Sequence, residues 1–477
     1  MTSAHAASVR FGRLERRGVM LGLSAGQLTA LASGLIVTVI AEYTSGITGV
    51  LVATPVWAGL AALAFVTLGG RPLLAWLPIV GQWTLRRVLR RSRYVARPML
   101  QCSSQAFAIP GIPGRLTVFV SPGNGAACVV DQRSATVTAV IDVSGSGFIL
   151  DDPGTQDRRV GGWGRVLASL CQQPEVVRVQ LLHRTSSGGA AKTRRWWADH
   201  ALSGAPWATR VVAELIAEAG QIADRQECLL AVAFRAPRGV RRPTVATLSA
   251  VDRHLTAIAD GLAAADLDVH GWLTTARMRR VLRTSYDPVG AAVVDIGDFS
   301  DSRSSMMVGP MGVAESWDSV RTDSAHHAVY WVQEWPRSDV HPGFLQPLIL
   351  TPGARRSFTL LAEPLPPAKA FREIRRAKVE HAADAAQRAR IGRLEDEATR
   401  AEAADLLRRE QDLVAGHGDL RFAGLITVTA ATPDELEGAC RATEAAAGQA
   451  MCELRRLVGQ QGQAHAAAAL PLARGLL

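Results

Sequence analysis

The chain has 477 residues, 48% of them hydrophobic, and a formal charge of +10. That length exceeds one small domain and supplies apolar material for a membrane segment plus packed domains. The charge suggests a nucleic-acid binder, but its distribution argues against one. Up to Arg97 there are eleven arginines, no lysine and two acids, Glu15 and Glu42, whereas the remainder is close to neutral. A basic excess beside apolar stretches is the signature of membrane flanks, so no direct nucleic-acid binding is expected. Six scattered cysteines without a CxxC pair read as reduced core residues of a cytosolic body.

Gly18 to Ala41 carries no charge, and neither does Tyr43 to Gly70. Each can supply the roughly 20 apolar residues that cross about 30 Å of hydrocarbon as a helix. The reading is a two-helix transmembrane hairpin joined by Glu42-Tyr43-Thr44-Ser45-Gly46. Arginines lie before the first span and after the second, with none in the short loop, which places both termini in the cytoplasm and the loop outside. Pro55 predicts a kink in the second span, its freed carbonyl bonded locally or by Thr54. Pro72 to Trp83 is apolar, too short to span and interrupted by Pro78. With Trp76, Trp83 and the arginines from Arg86 to Arg93 it reads as an interfacial elbow, or else as a buried start to the soluble body.

After a linker at Pro98 to Gly114, strands are predicted at Arg115–Val120, Ala127–Asp131 and Thr136–Val143. Helices and strands then alternate: helix Arg158–Gln172, strand Val176–His183, helix Trp207–Ile222, strand Glu227–Phe234, helix Val245–Ala264, strand Leu267–His270 and helix Thr274–Arg283. Tyr286 to Ser305 is polar and turn-rich, a subdomain boundary. Strand Ala328–Glu334, a short helix near Phe344 and strand Ser357–Glu363 follow. Residues 368–415 are rich in Ala, Arg and Glu, which predicts one long helix or a helical hairpin broken near Gly392. Strand Phe422–Thr429 precedes helix Pro433–Leu457, opened by Thr432 and Glu435 as a capping box, and Ala464–Leu472 is expected to close the sheet as a last strand. The fold class is therefore a membrane-anchored α+β protein with mixed or antiparallel sheets. Its domains are a hairpin with basic flanks over 1–97, a first α+β subdomain over 98–286, a linker over 287–305 and a second subdomain over 306–477. The second has β-α-β-β-α-β, ferredoxin-like character.

No chemical motif stands out. Ser187-Gly188-Gly189-Ala190-Ala191-Lys192-Thr193 imitates a phosphate loop, yet the loop chemistry needs glycine directly before the lysine, where Ala191 stands, so a basic surface loop is expected. His326 and His327 are adjacent, point to opposite faces of a strand and cannot chelate one ion together. Asp151 and Asp152 sit in a Pro-Gly turn, where carboxylates accept backbone hydrogen bonds. Trp335-Pro336-Arg337 offers an arginine on a loop with no companion group. The expectation is no catalytic residue, no cofactor, no metal site and no enzyme.

The stretch Arg13-Leu14-Glu15-Arg16-Arg17-Gly18 before the hairpin and Arg71 to Pro78 after it resemble the PrgI-like membrane subunits of conjugative type IV secretion systems. The body resembles the N-terminal, non-motor region of conjugation ATPases, through Leu282 to Pro288, Arg409-Glu410 to Gly418, and Leu470-Pro471-Leu472. As a whole the chain resembles actinobacterial membrane proteins with this layout. The resemblance implies a non-catalytic inner-membrane scaffold that docks a cytosolic secretion ATPase, with membrane lipids and other membrane subunits as partners and an oligomer as a possible state. A type VII secretion component and a membrane-bound enzyme without a recognisable motif are the alternatives.

Overall fold

The computed structural model describes residues 24–96, 106–107, 109–145, 147–187, 191–201, 206–222, 224–236, 243–288, 309–336, 338–350, 355–391 and 397–475. The chain divides into two compact units, one over Arg13–Ser92 and one over Arg93–Leu477. The expected linker 287–305 lies almost wholly outside the described residues.

The first unit is helical. Ser24 caps helix Ala25–Phe65 in a capping box with Gln27. Its richest 18-residue window has a mean hydropathy of 1.8 and is 11% buried. Leu35, Ile36, Val39, Ile40, Ile47, Leu51 and Val52 are exposed. The hydroxyls of Thr38 and Thr44 donate to the carbonyls of Gly34 and Ile40 (2.9 and 3.0 Å), which satisfies them inside an apolar segment. Thr54 donates to Val50 O at 2.9 Å, rather than to the Leu51 carbonyl that Pro55 leaves without its helical partner. Gly46 interrupts the helical geometry with φ 58° and ψ −147°, a region open to glycine. The Gln27 side-chain amide donates to the Ala64 carbonyl at 2.7 Å, and a Cβ at Gly34 would touch Trp57 and Leu60. Strands β1 (Thr67–Leu68) and β2 (Arg71–Pro72) pair across Gly69 and Gly70, both at positive φ. Helix Leu73–Val88 follows. Pro78 was expected to break this segment. It lies in the second turn instead, where its missing N–H costs a single hydrogen bond, and the helix continues for ten more residues. Arg87 stacks over Trp83, 5.0 Å from the ring centroid.

The second unit is α+β, built on a fourteen-stranded sheet whose pairings are all antiparallel. Its strands are β3 (Arg93–Val95), β4 (Ala106–Phe107), β5 (Leu116–Val120), β6 (Ala127–Asp131), β7 (Thr136–Ser144), β8 (Val176–Ser187), β9 (Asp224–Arg235), β10 (Asp268–Trp272), β11 (Gly312–Glu315), β12 (Val320–Arg321), β13 (His326–Glu334), β14 (Arg355–Leu365), β15 (Asp419–Ala430) and β16 (Glu453–Arg456). The main path runs β3-β11-β12-β13-β15-β14-β8-β9-β7-β6-β5-β4, with β10 added to β7 and β16 to β13. The two expected subdomains thus share one sheet.

The order holds a repeat that the sequence does not advertise. The first half reads β7, helix Pro153–Cys171, β8, helices Ala191–His200 and Pro206–Ile222, β9, helix Val245–Ala264, β10. The second reads β13, helix Gln346–Leu350, β14, helices Pro367–Ile391 and Glu397–Val414, β15, helix Pro433–Gln449, β16. Each half is a β-α-β-β-α-β unit with a helical pair inserted between its second and third strands. Their spatial orders, β10-β7-β9-β8 and β16-β13-β15-β14, match position by position. The first strand of each half also pairs with a short meander, β6 on β7 and β12 on β13. The halves join through their second strands, where Leu181 faces Leu360.

Strand alternation sends one set of side chains to each face. Val179, Val232 and Phe234 pack under helices Pro153–Cys171 and Val245–Ala264. Tyr330, Phe358 and Ile426 meet helix Pro433–Gln449 on the same side. The other face is covered by helix Thr275–Tyr286, with Met278, Val281 and Leu282 against Leu182 and Leu229, and by the C-terminal segment. The last strand is β16. Residues 464–472, expected as a strand, form the end of helix Gln461–Ala468 and an irregular tail. The helix expected to reach Leu457 ends at Gln449, because Met451 turns the chain at φ 55° into β16. The sparse apolar residues of the 367–414 pair pack at its root, where Leu365, Ala370, Ile374 and Leu413 cluster. Beyond the root the two helices run antiparallel, linked by Lys378 to Glu410.

Candidate functional site

The polar core of the body lies on the face of the central β8–β14 ladder covered by the C-terminal segment. The parity of β8 places Arg178, Gln180, Leu182 and Arg184 on this face. Gln180, Leu182 and Arg184 face Leu361, Thr359 and Ser357 of β14. At one end the C-terminal segment fills the surface. Gln180 donates to the carbonyls of Ala467 (3.2 Å) and Leu470 (2.9 Å) and accepts from Ala473 N at 2.7 Å. Thr359 donates to Ala468 O at 2.5 Å, and Arg178 pairs with Glu363 while donating to Ala473 O.

At the other end the same face opens into a recess with about 470 Å³ of empty space, its mouth included. Arg184, Thr284 and Ser285 form the wall from the first half; Arg355, Ser357, Thr427 and Thr429 form it from the second; His465 forms the floor. Arg184 is held on every side. Its Nε and Nη2 donate to Glu227 Oε2 (2.8 and 2.6 Å), and Nη1 donates to Val281 O, Thr284 Oγ1 and Ser285 Oγ. Thr427 and His465 differ: the Thr427 hydroxyl and both ring nitrogens of His465 are buried without a hydrogen-bond partner.

Behind the recess lies a buried histidine pair. The rings of His327 and His465 lie 4.3 Å apart, tilted by 37°, and the Tyr286 ring lies 5.2 Å from His465. Thr322 Oγ1 donates to the Tyr286 carbonyl, so its lone pair faces His327 Nε2, which must carry the proton; Nδ1 then accepts from Thr429 Oγ1 at 2.8 Å. His327 is thereby a satisfied neutral ring. Burial drives its affinity for a second proton well below the ordinary range, with the neighbouring His465 and His326 adding repulsion. Burial likewise lowers His465 to about 4, the backbone of Ser285 opposing slightly. The two adjacent histidines do occupy opposite faces: His327 is buried and His326 half-exposed.

The remaining sequence candidates are structural or dispersed. Asp152 caps helix Pro153–Cys171, accepting from Thr155 N at 3.1 Å and Thr155 Oγ1 at 2.6 Å, and these bonds hold its carboxyl below the usual range. Asp151 pairs with Arg159 at 2.7 Å. Residues 188–190 lie outside the described residues, and Ala191, Lys192 and Thr193, expected in a loop, open helix Ala191–His200. Trp335 is buried edge-on to Phe422, and Arg337 lies outside the described residues. Among the described residues no group of three or more His, Cys, Asp or Glu could hold a metal ion.

Sequence reasoning missed three polar devices. Arg184 with Glu227 and Gln180 with the C-terminal tail were legible only as polar residues of one parity in an apolar strand. The third is the Pro-Gly-Asn-Gly turn, where Ser121, Gly123 and Asn124 donate to the carboxylate of Asp252, 128 or more residues ahead. Burial would raise that carboxyl, and the donors outweigh it. No protein-family profile and no curated protein matches the chain.

Proposed function

We propose that this protein is an inner-membrane scaffold of a conjugation-type, type IV-like secretion apparatus, anchored by its N-terminal helical unit and docking a cytosolic secretion ATPase on its α+β body. The observation that carries the reading is the apolar helix Ala25–Phe65, long enough to span, largely exposed, and flanked by arginines. A segment that exposes Leu35, Ile36, Val39 and Ile40 to its surroundings has lipid as its natural solvent.

The membrane is crossed twice in this reading. Gly46 breaks the helix at the arginine-free loop, and each arm of about 20 residues is about 30 Å long. The bond from Gln27 to Ala64, 37 residues away, supports antiparallel arms, since a straight helix would separate those residues by about 55 Å. Both termini are then cytoplasmic, as the arginine distribution favours. The body acts by positioning a motor at the membrane, not by bond chemistry.

Two experiments test this. Alkaline carbonate should leave the protein in the membrane pellet, and a tag at Leu477 should resist protease added outside intact cells; release, or cleavage from outside, defeats the anchor. Affinity purification from mild detergent followed by mass spectrometry should recover a secretion ATPase, and consistent absence of one defeats the docking role.

A further inference from the structure

We propose that the recess at the junction of the two halves binds a phosphate group. The recess is polar by construction. It is lined by three arginines, Arg184, Arg355 and Arg356, and by no carboxylate among its described lining residues, and only Pro288 and Ala469 are apolar. An apolar ligand finds little surface there; the Arg184 guanidinium is taken up by Glu227 and its neighbours, so an oxyanion draws on Arg355 at the rim and on the Thr427 hydroxyl.

The buried polar atoms in the recess point to an occupant. Thr427 is 1% exposed and His465 2%, yet the threonine hydroxyl and both imidazole nitrogens make no hydrogen bond within the protein. Buried polar groups are nearly always paired, because leaving one unpaired forfeits its hydration without return. A phosphate seated in the recess answers the threonine and the imidazole together: one bare oxygen accepts from the Thr427 hydroxyl and another from the N–H of neutral His465. The two sides of the recess come from different halves of the chain, so the bound group bridges the β8–β14 junction.

This site stands apart from the scaffold reading. The test is isothermal titration of the detergent-solubilised full chain with inorganic phosphate against chloride at matched ionic strength, with ADP as a second arm. Saturable phosphate binding, weakened at least tenfold by both Thr427→Val and Arg355→Gln, is the expected result. Thr427→Val is isosteric, and near-UV circular dichroism checks its packing; if that spectrum changes, Arg355→Gln at the rim decides alone. Displacement of phosphate by ADP assigns the group to a nucleotide, and lack of displacement assigns free phosphate; either supports the site. Binding no greater than in chloride, meaning a recess filled by water only, or affinity unchanged in the variants, overturns the proposal.

Discussion

The buried imidazole of His465 makes the stability of the body depend on pH in a defined window. In the unfolded chain this ring takes up a proton near pH 6.5; in the fold, burial against Tyr286 and His327 delays uptake to about pH 4. Between those values the unfolded state holds more protons. Stability is therefore complete above the unfolded value and drains away as pH falls from 6.5 to 4. At about 1.4 kcal/mol per unit, a window of about 2.5 units amounts to roughly 3.5 kcal/mol, a large share of a typical 5–15 kcal/mol. The ring is 2% exposed, so solvent screening takes little from this figure. The assay is urea denaturation of the full chain in detergent, followed by tryptophan fluorescence at pH 7, 5.5 and 4.5. The native protein is compared with His465→Phe, which keeps an aromatic ring and loses no intramolecular hydrogen bond. Carboxylates contribute equally to both proteins and cancel in the difference. The variant should lose about 2.5 kcal/mol less than the native protein between pH 7 and pH 4.5. Parallel pH profiles would refute the reasoning, because they would mean that the ring titrates alike in both states.

Gln180→Leu strands the carbonyls of Ala467 and Leu470 and the N–H of Ala473, and should lower stability by about 2–4 kcal/mol, read from the urea midpoint at constant slope. Arg184→Met leaves Glu227 charged and buried at 12% side-chain exposure, with an expected loss of about 3–5 kcal/mol; the double replacement with Glu227→Leu should recover much of it in the same melt. Cleavage at a protease site engineered between residues 288 and 309 should leave the two fragments together on size exclusion, since the β8–β14 ladder and the C-terminal segment cross the cut. Separation at neutral pH without denaturant would show the junction to be weaker than the geometry indicates.

The elements were legible where local pattern is strong. Helix Val245–Ala264 and strand Ala127–Asp131 lie at the predicted positions, and Thr432 caps its helix as the Thr-x-x-Glu spacing requires, accepting from Glu435 N. The misses share a cause. Alanine-rich stretches carry neither a period of two nor of 3.6, so Ala464–Leu472 gave no signal by which to reject a strand, and positions 450–457 looked like more helix. Pro78 misled because a proline early in a helix removes little, a distinction that needs the helix start to be known. The polar cluster was harder still. His327, Thr429 and His465 lie up to 138 residues apart and form a layer only once β13, β15 and the C-terminal helix are packed, so spacing along the chain carried no trace of it.

The repeat explains why the polar groups gather there. Two similar units that pair through their second strands must place an antiparallel ladder at the centre, and the residues of one parity in β8 then oppose those of one parity in β14. Had both strands been wholly apolar, many registers would bury equal area. Gln180 and Thr359 bond the tail, and Arg178 pairs with Glu363, only in the register observed. A slip of one residue would turn these polar side chains into the opposite core beside Val179 and Phe358. The central polar set therefore selects one joining of the halves. The C-terminal segment is bonded to both strands in that register, so its hydrogen bonds add to the preference for it.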